Sequence, residues 1–165
     1  MPELLVMRHA KSDWTHPVAD YDRPLSKRGH KNAQQMADWL EQSELAPSAI
    51  LSSAANRAQT TATYVAQHFA VVEDRFAVTP DLYLASGQTW LEALAGRNDE
   101  RLLICGHNPG LDDLVDYLSA GGAPATVDGK LMTTAAIAVF TVEDFATLSP
   151  QTCRFIVVQR PRELS

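Results

Sequence analysis

The chain has 165 residues, of which 45% are hydrophobic and 21% charged, the composition of a folded globular protein rather than a disordered one. At this length one domain with one core, spanning 1–165, is expected, and a second catalytic domain or a large cap is not. Fourteen basic and 20 acidic residues leave a net charge of −6, which excludes a broad face for nucleic acid or anionic lipid but not a small positive pocket.

In chain order, residues 3–8 (ELLVMR) read as a buried strand. A helix is predicted over 26–42, with Ser26 as N-cap and Ala33, Met36, Ala37 and Leu40 on one face. Residues 49–52 read as a second strand, and 56–69 as a helix with Ala58, Ala62, Val65 and Phe69 at helical spacing. A weaker strand is expected over 71–78, then a short helix over 86–95 with Ser86 at its start and Gly96 past its end. Residues 101–105 form another apolar strand, followed by a helix from Pro109 to Ala120 that Gly121 stops. A Gly/Pro-containing loop over 121–131 leads to two further strands, 134–142 and 153–159. This alternation predicts an α/β sheet, mostly parallel, flanked by helices on both faces.

No apolar run approaches the roughly 20 residues of a membrane span. Residues 4–7 are too short for a signal peptide, and a cytoplasmic protein is expected. Cys105 and Cys153 lie in apolar stretches and read as reduced core thiols, with a bridge as the alternative.

Ligands of open α/β sheets bind at the carboxyl ends of the strands, so the residues following each strand carry the chemistry. Arg8-His9-Ala10-Lys11-Ser12 follows the first, Ser53-Ala54-Ala55-Asn56-Arg57 the second, and Gly106-His107-Asn108-Pro109-Gly110 the fourth. Two arginines and two histidines at one edge fit a phosphoryl group. Arginine offers a rigid, permanently charged fork for phosphate oxygens, and helix N-termini add N–H donors. Cations beside a histidine disfavour imidazolium, and neutral imidazole is a competent nucleophile toward phosphorus. Any one of these residues alone has an ordinary explanation as a polar strand end, a salt bridge or a solvated helix charge. Their coincidence after three strands is the signal.

The Arg8-His9-Ala10 stretch resembles the Arg-His-Gly signature of the histidine phosphatase superfamily. Leu25-Ser26 with Gly29, Asn32 and Ala33 resembles that family's "L-T-x-x-G-x-x-Q-A" helix start. Ser53-Ala54-Ala55-Asn56-Arg57-Ala58-Gln59-Thr60-Thr61-Ala62 resembles its "S-P-x-x-R-A-x-Q-T-A" block, and Gly106-His107 its second-histidine motif. Arg8 through Trp14, Asp22-Arg23-Pro24-Leu25 and Gly106 through Gly110 are similar to the compact phosphohistidine phosphatases of the SixA branch. The resemblance implies a phosphoglycerate-mutase-like fold without a large lid, with His9 as nucleophile and Arg8, Arg57 and His107 forming the phosphate pocket. Ser12 and Asn108 are further phosphate contacts on this reading, Ser12 alternatively serving as a local cap. Phosphate or sulfate would bind there, no cofactor or metal ion is implied, and the partner would be a phosphohistidine-bearing protein such as a phosphotransfer domain. Neither nucleic acid nor membrane is expected as a partner, and a monomer is favoured.

Three positions depart from the superfamily. Ala10 replaces the glycine after the nucleophile, Thr15 stands where an asparagine is frequent, and the acid-bearing "L-x-E-x-x-x-G" segment is missing. Asp81, in Pro80-Asp81-Leu82-Tyr83-Leu84, lies in that region, either as a general acid or as a loop aspartate capping a backbone N–H. A missing acid favours phosphoramidates, because an imidazole leaves neutral once its second nitrogen is protonated, whereas an alcohol needs a proton donor. Trp14 and Tyr83 could border the site.

Other phosphoryl chemistries lack their motifs. Six residues past Cys105 and Cys153 stand Leu111 and Gln159, not the arginine of a cysteine phosphatase. Gly129-Lys130 lacks the first glycine and the Ser/Thr of a P-loop. Asp20-Tyr21-Asp22 has aspartyl-phosphatase spacing but follows a polar loop, not a strand. Within the superfamily a phosphomonoester phosphatase is the alternative, and outside catalysis a phosphate-binding module.

Overall fold

The structure is a computed structural model that describes residues 1–164. Six strands, β1 (Glu3–Arg8), β2 (Ala49–Ser53), β3 (Phe76–Thr79), β4 (Arg101–Gly106), β5 (Ile137–Val142) and β6 (Cys153–Gln159), form one sheet in the order β3-β2-β4-β1-β5-β6. The first four are mutually parallel, and β5 and β6 run antiparallel at one side. Four helices, α1 (Lys27–Gln42), α2 (Asn56–His68), α3 (Gly87–Leu94) and α4 (Gly110–Leu118), cover the sheet.

Strand side chains alternate between the two faces, and the central strands bury both. Leu4 and Val6 of β1, with Leu102 and Ile104 of β4, pack with Trp90, Leu94, Leu111, Leu114 and Leu118 from α3 and α4. Leu5, Met7, Leu103 and Cys105 face the other way, against Ala33, Met36 and Leu40 of α1 and Ala58, Ala62 and Val65 of α2. Continuous apolar strands read as doubly covered, and both covers are present.

The largest differences from the sequence expectation are at the starts of β3 and β5, while most other ends agree or shift by one or two residues. β3 begins at Phe76, not Val71, because Glu73-Asp74-Arg75 forms a 3-10 turn instead of extending the strand. β5 begins at Ile137, because the buried Ala135 has φ 64°, a left-handed conformation that ends strand pairing. α4 runs Gly110–Leu118, with Pro109 at its N-cap position.

The parallel register aligns the strand ends. Arg8 lies opposite Gly106 and Ser52 opposite Cys105, so His9, Ser53 and His107 emerge side by side. The loop that follows β1 and carries His9 is clamped from both sides. Ser26 caps α1 by accepting from Gly29 N–H at 3.0 Å, and its own N–H donates to the Lys11 carbonyl at 2.9 Å. A Cβ on Gly29 would lie 2.1 Å from the Lys11 carbonyl oxygen, which is why this helix start needs glycine. From α2, Thr61 Oγ1 accepts from Ala10 N–H at 3.0 Å and donates to the Arg57 carbonyl at 2.7 Å. Ala10 is buried without a positive φ, so the position needs no glycine.

Candidate active site

His9, Arg57 and His107 are buried together at the carboxyl edge, with Arg8 at their side. His9 Nδ1 donates to the Ala10 carbonyl at 2.7 Å. A carbonyl only accepts, so Nδ1 carries the proton and Nε2 keeps its lone pair. That lone pair faces Arg57, whose Nε donates toward Nε2 at 3.4 Å. The rings of His9 and His107 lie 5.3 Å apart, centre to centre.

Burial pushes the His9 imidazole down to about 3, with the charges of His107, Arg8 and Arg57 adding to it against the raising effect of the Ala10 carbonyl. His107 is pushed down to about 4, again chiefly by burial and then by Arg57. The direction is the one expected of histidines among arginines, but desolvation is the larger cause. Both rings are neutral at pH 7. His107 Nε2 lies 2.8 Å from Ser53 Oγ, while its Nδ1 is buried and has no hydrogen-bond partner among the described residues. Arg8 donates to the Met132 carbonyl at 3.0 Å, leaving its buried Nε likewise unpartnered.

The other expected residues fall elsewhere. Ser12 Oγ is buried but accepts from Arg23 Nε at 2.9 Å, so it holds an arginine. The Asn108 amide is spent on backbone: it donates to the Met132 carbonyl at 2.9 Å and accepts from Asp112 N–H at 3.1 Å, as a helix-capping residue does. Asp81 is exposed and makes no side-chain hydrogen bond among the described residues. It is itself capped, its N–H donating to Thr79 Oγ1 at 3.2 Å, which reverses the capping role foreseen for it. Thr15 is exposed and donates to Asp13.

The acidic group of the site is instead Asp20, in the 3-10 turn Asp20–Asp22. Its carboxylate accepts from Arg57 at 3.0 Å and from Arg23 and the Tyr83 hydroxyl, while its carbonyl accepts from Arg57 at 2.6 Å. These bonds, led by that of Tyr83, hold the Asp20 carboxyl far below the usual carboxylate range. The same contact holds the Tyr83 phenol above its ordinary value. At neutral pH the pair is therefore a carboxylate and an intact phenol, and neither is a ready proton donor. Tyr83 also meets the His107 ring edge-on at 5.5 Å, and the exposed Trp14 stacks on Arg23 at 3.6 Å. Tyr83 thus borders the site as expected, whereas Asp20, Arg23 and Ser53 escaped the sequence reading as site residues. Ser53 opens the quoted second block and Arg23 lies in the quoted Asp22-Arg23-Pro24-Leu25 stretch, so those two motifs carried a usable signal.

The cysteines are free. Cys105 is fully buried and its thiol is pushed up to about 12, which makes it a poor nucleophile. Among the described residues no helix is long and apolar enough to cross a membrane.

Residues 4–82 match the model of the histidine phosphatase superfamily, branch 1. An uncharacterised protein of Mycobacterium tuberculosis is 32% identical over 163 residues, covering 94% of this chain and 100% of its own length. An uncharacterised chloroplastic protein of Arabidopsis thaliana is 33% identical over 127 residues, covering 70% of this chain and 58% of that protein. Among solved structures, the protein histidine phosphatase SixA complexed with tungstate superposes with a TM-score of 0.78 at 24% identity over 99% of both chains. Mycobacterial glucosyl-3-phosphoglycerate phosphatase superposes with a TM-score of 0.63 at 16% identity, covering 96% of this chain and 97% of that one. With its motif blocks in order along this fold, the chain belongs to the histidine phosphatase superfamily.

Proposed function

We propose that the protein is a phosphatase that removes the phosphoryl group from a phosphohistidine of a protein, through a phospho-His9 intermediate. The observation that carries this reading is the tautomer of His9: a buried neutral ring with Nδ1 fixed on the Ala10 carbonyl and Nε2 unprotonated, its lone pair facing Arg57 Nε at 3.4 Å. Tungstate, a phosphate analogue, is bound in the SixA structure of the same fold, which supports an anion site here.

His9 Nε2 attacks phosphorus in line as the substrate's P–N bond breaks, and that electron pair returns to the substrate nitrogen. A phosphohistidine protonated on its other nitrogen leaves as neutral imidazole, and phospho-His9, still carrying Nδ1–H, takes over the positive ring. The transfer needs no proton. The Ala10 carbonyl stabilises the new ring charge, and Arg8, Arg57 and His107 hold the equatorial oxygens; losing one such donor costs roughly 10²–10³-fold. Water then attacks phosphorus, the P–Nε2 bond breaks, phosphate leaves, and one proton passes to solvent.

An alkyl phosphate is different, because its alkoxide must be protonated as it departs. Asp20 is already ionised and the Tyr83 phenol is bound to it. The site therefore favours phosphoramidates over unactivated monoesters.

The test compares wild type with His9→Ala on a phosphohistidine peptide, p-nitrophenyl phosphate and an alkyl phosphate. Wild type should turn over the first two and become labelled with acid-labile phosphate, the alkyl ester lagging by about 10²–10⁴-fold, the worth of a positioned acid. Retention of turnover by His9→Ala would refute the mechanism. Equal rates on alkyl ester and phosphohistidine would point to the phosphomonoester chemistry named for the mycobacterial structure of this fold.

A further inference from the structure

Beside the phosphoryl site the surface carries a basic trough of about 270 Å³ that has Arg8 as one of its walls. Six cations line it, including Lys11, Arg28, Lys130 and Arg162, against only two acids. It adjoins a smaller recess of about 110 Å³ that shares Arg28 and Arg162. In a chain with 20 acidic and 14 basic residues, this is a strong local reversal of charge.

The two acids do not neutralise it. Glu163 pairs with the buried Arg160 at 3.3 Å, and Asp128 lies 3.9 Å from Lys130. Among the described residues, Arg8, Lys11, Arg28 and Arg162 have no acidic partner within 4.0 Å. A second feature points the same way. Lys27 and Arg28 occupy the first turn of α1, which holds no acidic residue. Cations are disfavoured at this end of a helix, where the backbone dipole is positive. A choice that local electrostatics opposes is expected where a function requires it.

We infer that this trough docks an acidic segment of the phosphoprotein, glutamates or aspartates flanking the phosphohistidine whose phosphoryl group reaches Arg8 and His9. The inference rests on the proposed function and adds the character of its substrate. The arrangement favours a peptide over a second phosphate on a small molecule. A compact dianion needs donors converging on one point, whereas Lys11, Arg28, Lys130 and Arg162 are exposed and come from separate segments along an open trough. Spaced carboxylates match spaced cations. The negative charge of the rest of the protein would repel the same segment elsewhere, which fixes its orientation.

Binding is tested separately from turnover. A fluorescent, unphosphorylated peptide of glutamates spaced by serines is titrated by anisotropy at low salt against wild type and an Arg28→Ala/Arg162→Ala variant. Wild type should bind it, the variant about tenfold more weakly for two exposed ion pairs, and 0.5 M salt should abolish the difference. Both proteins should hydrolyse p-nitrophenyl phosphate equally and melt at the same temperature. In turnover, a glutamate-flanked phosphohistidine peptide should show a lower KM than a serine-flanked one, and the variant should erase that advantage.

Equal binding by wild type and variant, or tripolyphosphate binding that depends on Arg28 and Arg162 while the glutamate peptide does not bind, would overturn the inference. Absence of binding by wild type would overturn it too, whereas failure of the function alone reads differently: wild type would then leave every phosphohistidine peptide intact while still binding the unphosphorylated probe through Arg28 and Arg162.

Discussion

A histidine serves as a nucleophile only when one ring nitrogen is committed elsewhere and the other stays unprotonated. His9 meets both conditions through the Ala10 carbonyl and burial. NMR titration should therefore show neither His9 nor His107 with an inflection near 6.5, the ordinary value; a midpoint there for either ring would contradict the buried, neutral site. Asp20 governs the mouth. On the proposed function an entering phosphoryl group would share Arg57 with its carboxylate, so Asp20→Asn should tighten inhibition by inorganic phosphate about two- to five-fold, the size of a screened ion pair. Unchanged or weaker inhibition would mean that the carboxylate mainly aims Arg57 and does not compete with the anion. Removing it should also push His107 further down, because Asp20 opposes the effect of Arg57 on that ring.

At the scale of elements, the His9 loop is held by two helices that start beside it. α1 presents Gly29 against Lys11, and α2 presents Thr61 to Ala10. Gly29→Ala should destabilise the protein by about 1–3 kcal/mol, the cost of an overpacked contact, and lower turnover because the displaced Lys11 backbone adjoins His9. Urea denaturation and kcat on a common substrate check both halves; a full-stability variant would show that the helix start shifts at no cost. Thr61→Val keeps the shape but leaves Ala10 N–H unsatisfied, and should cost about 1–3 kcal/mol in the same assay.

At the scale of the whole molecule, two buried neutral histidines tie stability to pH. Between their folded values, about 3 and about 4, and the ordinary 6.5, the unfolded chain binds protons that the folded chain does not. Stability should therefore be complete above pH 6.5, decline as pH falls, and stop responding to these groups below about 3. Urea unfolding at pH 7 and 4.5 checks the slope, and His107→Ala should flatten it. The four residues legible in the sequence, Arg8, His9, Arg57 and His107, directly follow strands or open a helix, where position along the chain fixes position in space. Asp20 and Tyr83 had no such signal: they lie 63 residues apart, in a loop and a turn without periodicity, and meet only across the mouth of the site. The apolar runs and motif spacing by themselves determined the doubly covered sheet, the shared edge and the family, because burial of alternating faces leaves few ways to fold such a chain. Tertiary structure alone decided that Asp20, not Asp81, is the acidic group, that Ser12 and Asn108 serve the framework, and that scattered lysines and arginines converge beside Arg8. Those outcomes depend on contacts between segments distant in sequence, which no local pattern encodes.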